Sequence, residues 1–491
     1  MERKLALLLA MLLLASSTVG CGNAAENTDT TGDTTADTVA DTTPEESTES
    51  FDTGLPSKDF GGRTFTFYTK NDDSWVDWFE FSIYAEEMNG EVLNDAVFSR
   101  NSYVQETCNV VLAEYAPTSG NFTSEIGNSI QAGDSQYDVV MPALNGAGEL
   151  VLKGYLLDLY DIGNIDLTKN WWDQRSIEDL SLAKKLYMVS GDISMLNADA
   201  TWCTMINLSV LNDLGAETPY QYVAEDNWNF DTYKALCENA SIDLNGDGVY
   251  DKNDSIANLT QNENATAMLV CFGYHMIEKD ADDLPYFNLE GDERAYTILQ
   301  DLSEFMNDDR LSLNYHTKGA ADGYHLLTTK MFQENRGLFW ITNLQMVRRL
   351  REMETDFGIA PVPKYDAEQE NYCNVVWSVG SYVTVPITTP NADEAGYVLE
   401  TISAKSRELL RPAYYETALS KKYLRDEESV EMLDLVIDNR SYELELAFSF
   451  GVSTAVNSIV LNGKEPASTF ASSNKSIASN IEKALEKIEA E

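Results

Sequence analysis

The sequence predicts an α/β chain built as two units, the second inserted into the first, and three observations carry that prediction. Strand and helix signals alternate between residues 59 and 143. The character turns helical after residue 207. Strand signals then return at 338–342, 357–362 and 382–386. A chain of 491 residues is long enough for about two or three domains. Its 43% hydrophobic content lets each of them bury a core.

In order along the chain, residues 64–69 (TFTFYT) alternate aromatic and Thr side chains with the period of a strand. Across 91–107, Val92, Leu93, Ala96, Val97 and Val104 recur at helical spacing. A strand at 110–115, a polar helix at 123–132 and a buried strand at 137–143 (YDVVMPA) follow. This β-α-β-α-β order implies a largely parallel sheet with helices on both faces. Further extended runs are expected at 185–190 and 200–207, and helices at 232–240 and 294–306. From 393 onward helices dominate.

The beginning of the chain reads as an address. Arg3 and Lys4 precede an unbroken apolar run of eleven residues, Leu5 to Ala15, followed by small or weakly polar residues. Such a run fits a signal-peptide core and falls short of the ~20 residues that span a bilayer. Gly20-Cys21, with Thr18 standing where Leu is usual, resembles the lipobox of bacterial lipoproteins, which implies that Cys21 is acylated and becomes the first residue. From Ala24 to Ser50 there are nine Thr and eight acidic residues with no Lys, Arg or aromatic, so this stretch reads as an extended tether.

Charge and cysteine usage narrow the function. The chain carries 81 acidic and 34 basic side chains, a formal −47. That surface repels phosphate backbones and anionic lipid, which excludes nucleic-acid binding and leaves the lipid anchor as the only membrane contact. Cys108, Cys203, Cys237, Cys271 and Cys373 show no CxxC spacing and read as buried free thiols, with one disulfide left open. With three histidines and no HExxH, GxSxG, P-loop or GxGxxG motif, a non-enzymatic protein is expected.

The sharpest local signal is 243–254 (DLNGDGVYDKND). Oxygen side chains fall at its first, third, fifth, ninth and twelfth positions: Asp243, Asn245, Asp247, Asp251 and Asp254. Gly248 takes the sixth position, where a sharp turn is needed, and Val249 offers its carbonyl at the seventh. This spacing predicts a structural Ca²⁺ site, because the ion wants six to eight oxygens. Asp254 departs from the usual Glu and reaches less far.

The stretch Asn227-Trp228-Asn229-Phe230-Asp231-Thr232-Tyr233-Lys234 leading into that loop resembles one common in carbohydrate-type extracellular solute-binding proteins of bacterial ABC importers, the maltose-binding-protein-like type II family. Other pieces resemble the same family in the same order: YDVVMP at 137–142, KLYMV at 185–189 with Met205-Ile206-Asn207, RGLFWITN at 336–343, and FGIAPVP at 357–363 with 381–386. The resemblance implies a two-lobed periplasmic-binding-protein-like fold with a ligand cleft. Residues 1–20 would be the signal peptide and 21–57 the lipidated tether. The first lobe would comprise 58–204 with 357–403, and the helix-rich second lobe 205–356 with 404–491. It further implies a monomeric receptor that closes on a sugar or oligosaccharide and delivers it to permease subunits. Aromatic faces and amide groups suit such a ligand. Where the family places its cleft loops stand Asn71, Asp72, Asn145, Asp199, Trp202, Trp340, Asn343 and Trp377, with Trp340 expected as the chief stacking ring. The rival expectations are a secreted glycoside hydrolase, a receptor for another solute, and a surface adhesion module.

Overall fold

The computed structural model describes residues 51–70, 78–117, 121–318, 326–419 and 427–489. The signal segment, Cys21, the tether up to residue 50, Asn71 and Asp72 lie outside the described residues. The body begins a little earlier than expected. Leu55 packs against the first core, and the Pro56 carbonyl accepts a bond from the Tyr397 hydroxyl at 2.9 Å.

The first sheet holds β1 (Arg63–Thr69), β2 (Val110–Tyr115) and β3 (Val139–Met141) in the order β2-β1-β3, all parallel. Phe65 stands opposite Leu112, and Phe67 opposite Val139. β3 is shorter than its hydrophobic run, for two reasons. Upstream, the Asp138 carboxylate takes the Thr66 N–H at 2.8 Å. Downstream, Pro142 has no N–H to give a ladder. The Val92–Cys108 helix covers this sheet with Val104 and Cys108, and ends where Asn109 turns left-handed at φ 47°.

The chain then builds β4 (Trp202–Asn207), β5 (Asn258–Thr260), β6 (Glu278–Lys279), β7 (Pro285–Tyr286), β8 (Ser312–Asn314), β9 (Phe339–Asn343) and β10 (Phe357–Ala360). Five of these form the second sheet in the order β10-β4-β9-β5-β8, while β6 and β7 make a separate two-stranded ladder. β11 (Asn374–Val375) and β12 (Arg440–Ser441) pair in parallel beside it. Two lobes result, each a sheet with helices against it.

The lobe boundaries differ from those expected. β10 pairs antiparallel with β4, Ile359 opposite Met205, so residue 357 still belongs to the second lobe. β4 lies wholly in that sheet, which places the first crossing before Trp202 rather than at residue 204. The return to the first lobe comes at 383–386, through bridges of Val383 to Val189, Thr384 to Val140 and Pro386 to Leu156. These isolated bridges also replace the strands expected at 185–190 and 382–386. A run such as FGIA is buried throughout and looks the same in either sheet, so its sequence does not say which one it joins.

The last part of the chain serves both lobes. The Ala392–Leu419 helix packs Tyr397, Leu399 and Ile402 into the core of the first lobe with Phe65 and Val104. Its Leu410 and Tyr414 enter the core of the second with Met205, Trp340 and Phe357. The Leu444–Phe448 helix lies so close to the Leu144–Leu152 helix that a Cβ at Gly148 would stand 2.0 Å from the Ala447 carbonyl oxygen. Residues beyond 404 are therefore shared rather than confined to the second lobe. The five cysteines of the body are free, four buried and Cys373 half-buried. Among the described residues no helix is long and apolar enough to cross a membrane.

Candidate functional site

The two backbone segments that cross between the sheets lie side by side, and the turn after β9 is bonded to the first of them. Leu344 donates to the Thr201 carbonyl at 2.9 Å, Gln345 to that of Asp199 at 3.0 Å, and Trp377 to that of Ala200 at 3.0 Å. The Leu144 N–H reaches the Ser378 carbonyl at 2.9 Å, and the Tyr382 N–H that of Pro142 at 3.0 Å. The carboxyl ends of β3 and β9 are thus both held against one crossing. In open α/β sheets, that is where ligand crevices form.

Asn197 anchors this crossing. Its amide nitrogen donates to Ser190 Oγ at 2.8 Å and to the Ser381 carbonyl at 2.7 Å, while its oxygen accepts the Ser381 N–H at 2.8 Å. Gly380 is required beside it, since a Cβ there would lie 2.0 Å from Asn197 Oδ1.

Several of the expected residues meet at this place. Trp202 is buried and Trp377 half-buried, with ring centroids 5.3 Å apart. Asn343 is the register partner of Trp202 at the last position of β9. Asn145 lies exposed at the start of the Leu144–Leu152 helix, one residue beyond the bond to Ser378, and accepts the Gly146 N–H at 2.9 Å. Trp202 Nε1, Asn343 Oδ1 and, just past β5, Gln261 Oε1 are buried polar atoms with no hydrogen-bond partner among the described residues. A buried polar group left unmatched costs about 1–3 kcal/mol, so three near one crossing need an explanation.

Two expectations are corrected. Trp340 is 0% exposed and packs against Phe332 in the core of the second lobe. Trp340 was expected as the chief stacking ring, with Asn343 beside it as a cleft residue. Instead β9 runs on through Asn343, and residues three apart in a strand point to opposite faces. Phe339 and Ile341 face one core, Trp340 the other. Asp199 is 2% exposed, with its oxygens already engaged by the Tyr414 hydroxyl at 2.8 Å and by the Arg348 guanidinium. Burial raises its pKa, and the charge of Arg348 and the bond from Tyr414 oppose that. It is not an open acceptor for a ligand.

Asn197, Gln261, Phe81 and Arg348 were not anticipated. Their local sequence carries no motif, and each matters through segments distant in sequence. Trp228, by contrast, is a packing residue: it is fully buried, and its Nε1 donates to the Pro361 carbonyl at 2.9 Å.

The 243–254 segment is a loop of the second lobe whose side chains hold its own backbone. Asp243 accepts from Gly246 and Gly248 at 2.7 and 2.8 Å, and these N–H groups, Gly248 first, lower its pKa. Asp254 is buried and accepts from Leu244 and Asp251 at 3.0 and 2.9 Å. Gly248 adopts φ +79°, the turn expected of its position. Asn245, Asp247, Asp251 and the Val249 carbonyl stay on the exposed or half-exposed rim, a donor set of hard oxygens that suits Ca²⁺. As the loop stands, no group of three or more His, Cys, Asp or Glu among the described residues is placed to hold a metal.

A separate cavity of about 490 Å³ is walled by Arg175, His275, Arg294 and Arg440. Its cations are already matched, Arg294 by Asp366 and Glu368, Arg440 by Asp173, and His275 by Glu443.

No protein-family profile matches the chain, and no curated protein sequence matches it. Solved structures do. An ABC substrate-binding protein from Listeria monocytogenes in complex with cycloalternan superposes with a TM-score of 0.56 at 11% identity, over 86% of this chain and 99% of that one. The maltose/maltodextrin-binding domain MalE from Bdellovibrio bacteriovorus, bound to maltotriose, gives 0.53 at 13% identity, over 85% and 100%. A sugar transporter protein from Rhizobium etli in an open conformation gives 0.53 at 14% identity, over 87% and 99%. The chain has the two-lobed α/β fold of the type II periplasmic-binding proteins.

Proposed function

We propose that this protein is the substrate-binding component of an ABC importer, capturing a sugar or oligosaccharide outside the cell by lobe closure and passing it to membrane permease subunits. The observation that carries this reading is the unmatched neutral polar atoms on Trp202 and its strand partner Asn343, with Gln261 just past the neighbouring β5, and the half-buried Trp377 ring against Trp202. A hydroxyl both donates and accepts, so a polyol can satisfy an indole N–H and two amide oxygens together. An indole face suits the C–H side of a sugar ring. Asn145 stands where it can meet hydroxyls from the first lobe. Solved relatives of the fold that are named for bound cycloalternan and maltotriose support the same class of ligand.

Calorimetry against a panel of plant and host oligosaccharides tests it. Trp377→Ala is expected to weaken the bound sugar by roughly 2 kcal/mol, a ~30-fold rise in Kd, with little change in the melt of the unliganded protein. Wild type that ignores every sugar but binds peptides or amino acids would overturn the ligand class.

Two further parts belong to this reading. Cys21 is the acylated anchor, so Cys21→Ala releases the protein into the medium; a variant that stays membrane-bound speaks against the anchor. The 243–254 loop takes a structural Ca²⁺ through Asp243, Asn245, Asp247, Asp251, Asp254 and the Val249 carbonyl. The ion stabilises the state that holds it, so chelator lowers Tm and calcium restores it. Asp247→Ala abolishes that response. A melt indifferent to chelator rejects the site.

A further inference from the structure

The Asp199 carboxylate draws together parts of the chain that belong to different lobes. Arg348 comes from the Met346–Leu350 helix, which follows β9 and packs Met346, Val347 and Leu350 into the core of the second lobe. Its guanidinium meets Asp199 at the crossing and lies 5.2 Å from the centre of the Phe81 ring. Phe81 belongs to the first-lobe segment that follows β1. Beside it, Glu80 donates its N–H to the Lys70 carbonyl at 2.9 Å and accepts from Ser194 Oγ at 2.6 Å. Ser82 Oγ accepts from the Met195 N–H at 3.0 Å. On its other side Asp199 takes Tyr414, carried by the helix that runs through both cores.

We infer that Arg348 is a positioning residue that ties the second lobe to Phe81 of the first across the crossing and thereby sets the angle between the lobes. This rests on the lobe-closing reading above. A guanidinium suits the task because one planar group can bond a carboxylate at its edge and lie on a ring with its face. The Arg348 side chain is 33% accessible, and the half-buried Phe81 ring also packs against the core of the second lobe, so the guanidinium lies at the rim of an apolar contact between the lobes. Asp199 holds the arginine at one point of the crossing.

The test reads a distance and needs no ligand. Spin labels on Glu106→Cys and Gln300→Cys, both exposed on helices of the first and second lobes, report lobe separation by pulsed dipolar spectroscopy in the full chain. Protein without the two introduced cysteines supplies the background. Arg348→Met keeps the apolar stem and loses the charge; it is expected to shift or broaden the distance distribution and to change the Kd for a bound sugar at least threefold. Arg351→Met, an exposed neighbour ion-paired with Glu352, is expected to change neither. A distribution that superimposes on wild type, in Arg348→Met with an intact fold by circular dichroism, overturns the inference. Should Arg348→Met not fold, Phe81→Leu decides in the same way, because it removes the ring contact and leaves the ion pair in place. A chain that binds no sugar refutes the ligand class proposed above, while an unchanged distance refutes the tie.

Discussion

The structure gives Trp340 and Trp377, two expected cleft rings, different work. Trp340 fills the core of the second lobe, so Trp340→Ala is expected to remove about 3–5 kcal/mol of stability. Chemical denaturation reads that directly, and a loss under 1 kcal/mol would place the ring outside the core after all. His275 offers a second measurement. Burial works against its charge, but the hydrogen bond and charge of Glu443, 3.4 Å away, outweigh that and push its pKa up to about 9. A histidine in an unfolded chain titrates near ~6.5. Its contribution is therefore complete below pH ~6.5 and is lost as the pH rises through about 9. Unfolding midpoints should fall across that window in wild type, and His275→Gln should flatten this part of the curve.

At the scale of elements, Asn229 shows how a stretch that resembles a family can be doing local work. Its side chain caps the Phe230–Ala240 helix by accepting the Thr232 N–H at 3.0 Å. Asn229→Ala should therefore cost about 1 kcal/mol and leave ligand binding alone. Gly380→Ala should do the reverse of a quiet change, since its Cβ would collide with Asn197 and loosen the crossing. Its signature is weaker ligand binding together with a lower melt. Strand β1, strand β2 and the Val92–Cys108 helix were legible because period-two and helical spacing show on the chain itself. Strand β10 was legible as a strand but not as a member of the second sheet, because partner choice is decided by Met205 and Ile206 some 150 residues earlier. The site was legible in part for the same reason. Asn145, Trp202 and Asn343 lie at or next to strand ends that the sequence marks, and Trp377 came from the resemblance, whereas Arg348 and Asn197 matter only through what distant segments bring to them.

For the whole molecule, the formal −47 means that the body folds against its own repulsion. Salt screens such repulsion within ~10 Å at 0.1 M, so Tm should rise between low and moderate ionic strength. A fall would mean that paired charges dominate instead. The Ala392–Leu419 helix has a consequence in time as well as in space. The first lobe needs that helix to cover Val104 and Phe65, yet β4 to β10 are all made before it. A ribosome therefore finishes the inserted lobe while the lobe begun first still lacks a wall. Contacts closed over such separations form slowly and leave apolar surface open meanwhile. For a chain expected to be exported before it folds, that delay is useful: the polypeptide stays threadable until its last fifth is being delivered. Moving the helix forward by circular permutation, so that it precedes β1, should speed refolding and hinder export. Stopped-flow fluorescence and a secretion assay on the same permutant would read the two effects side by side.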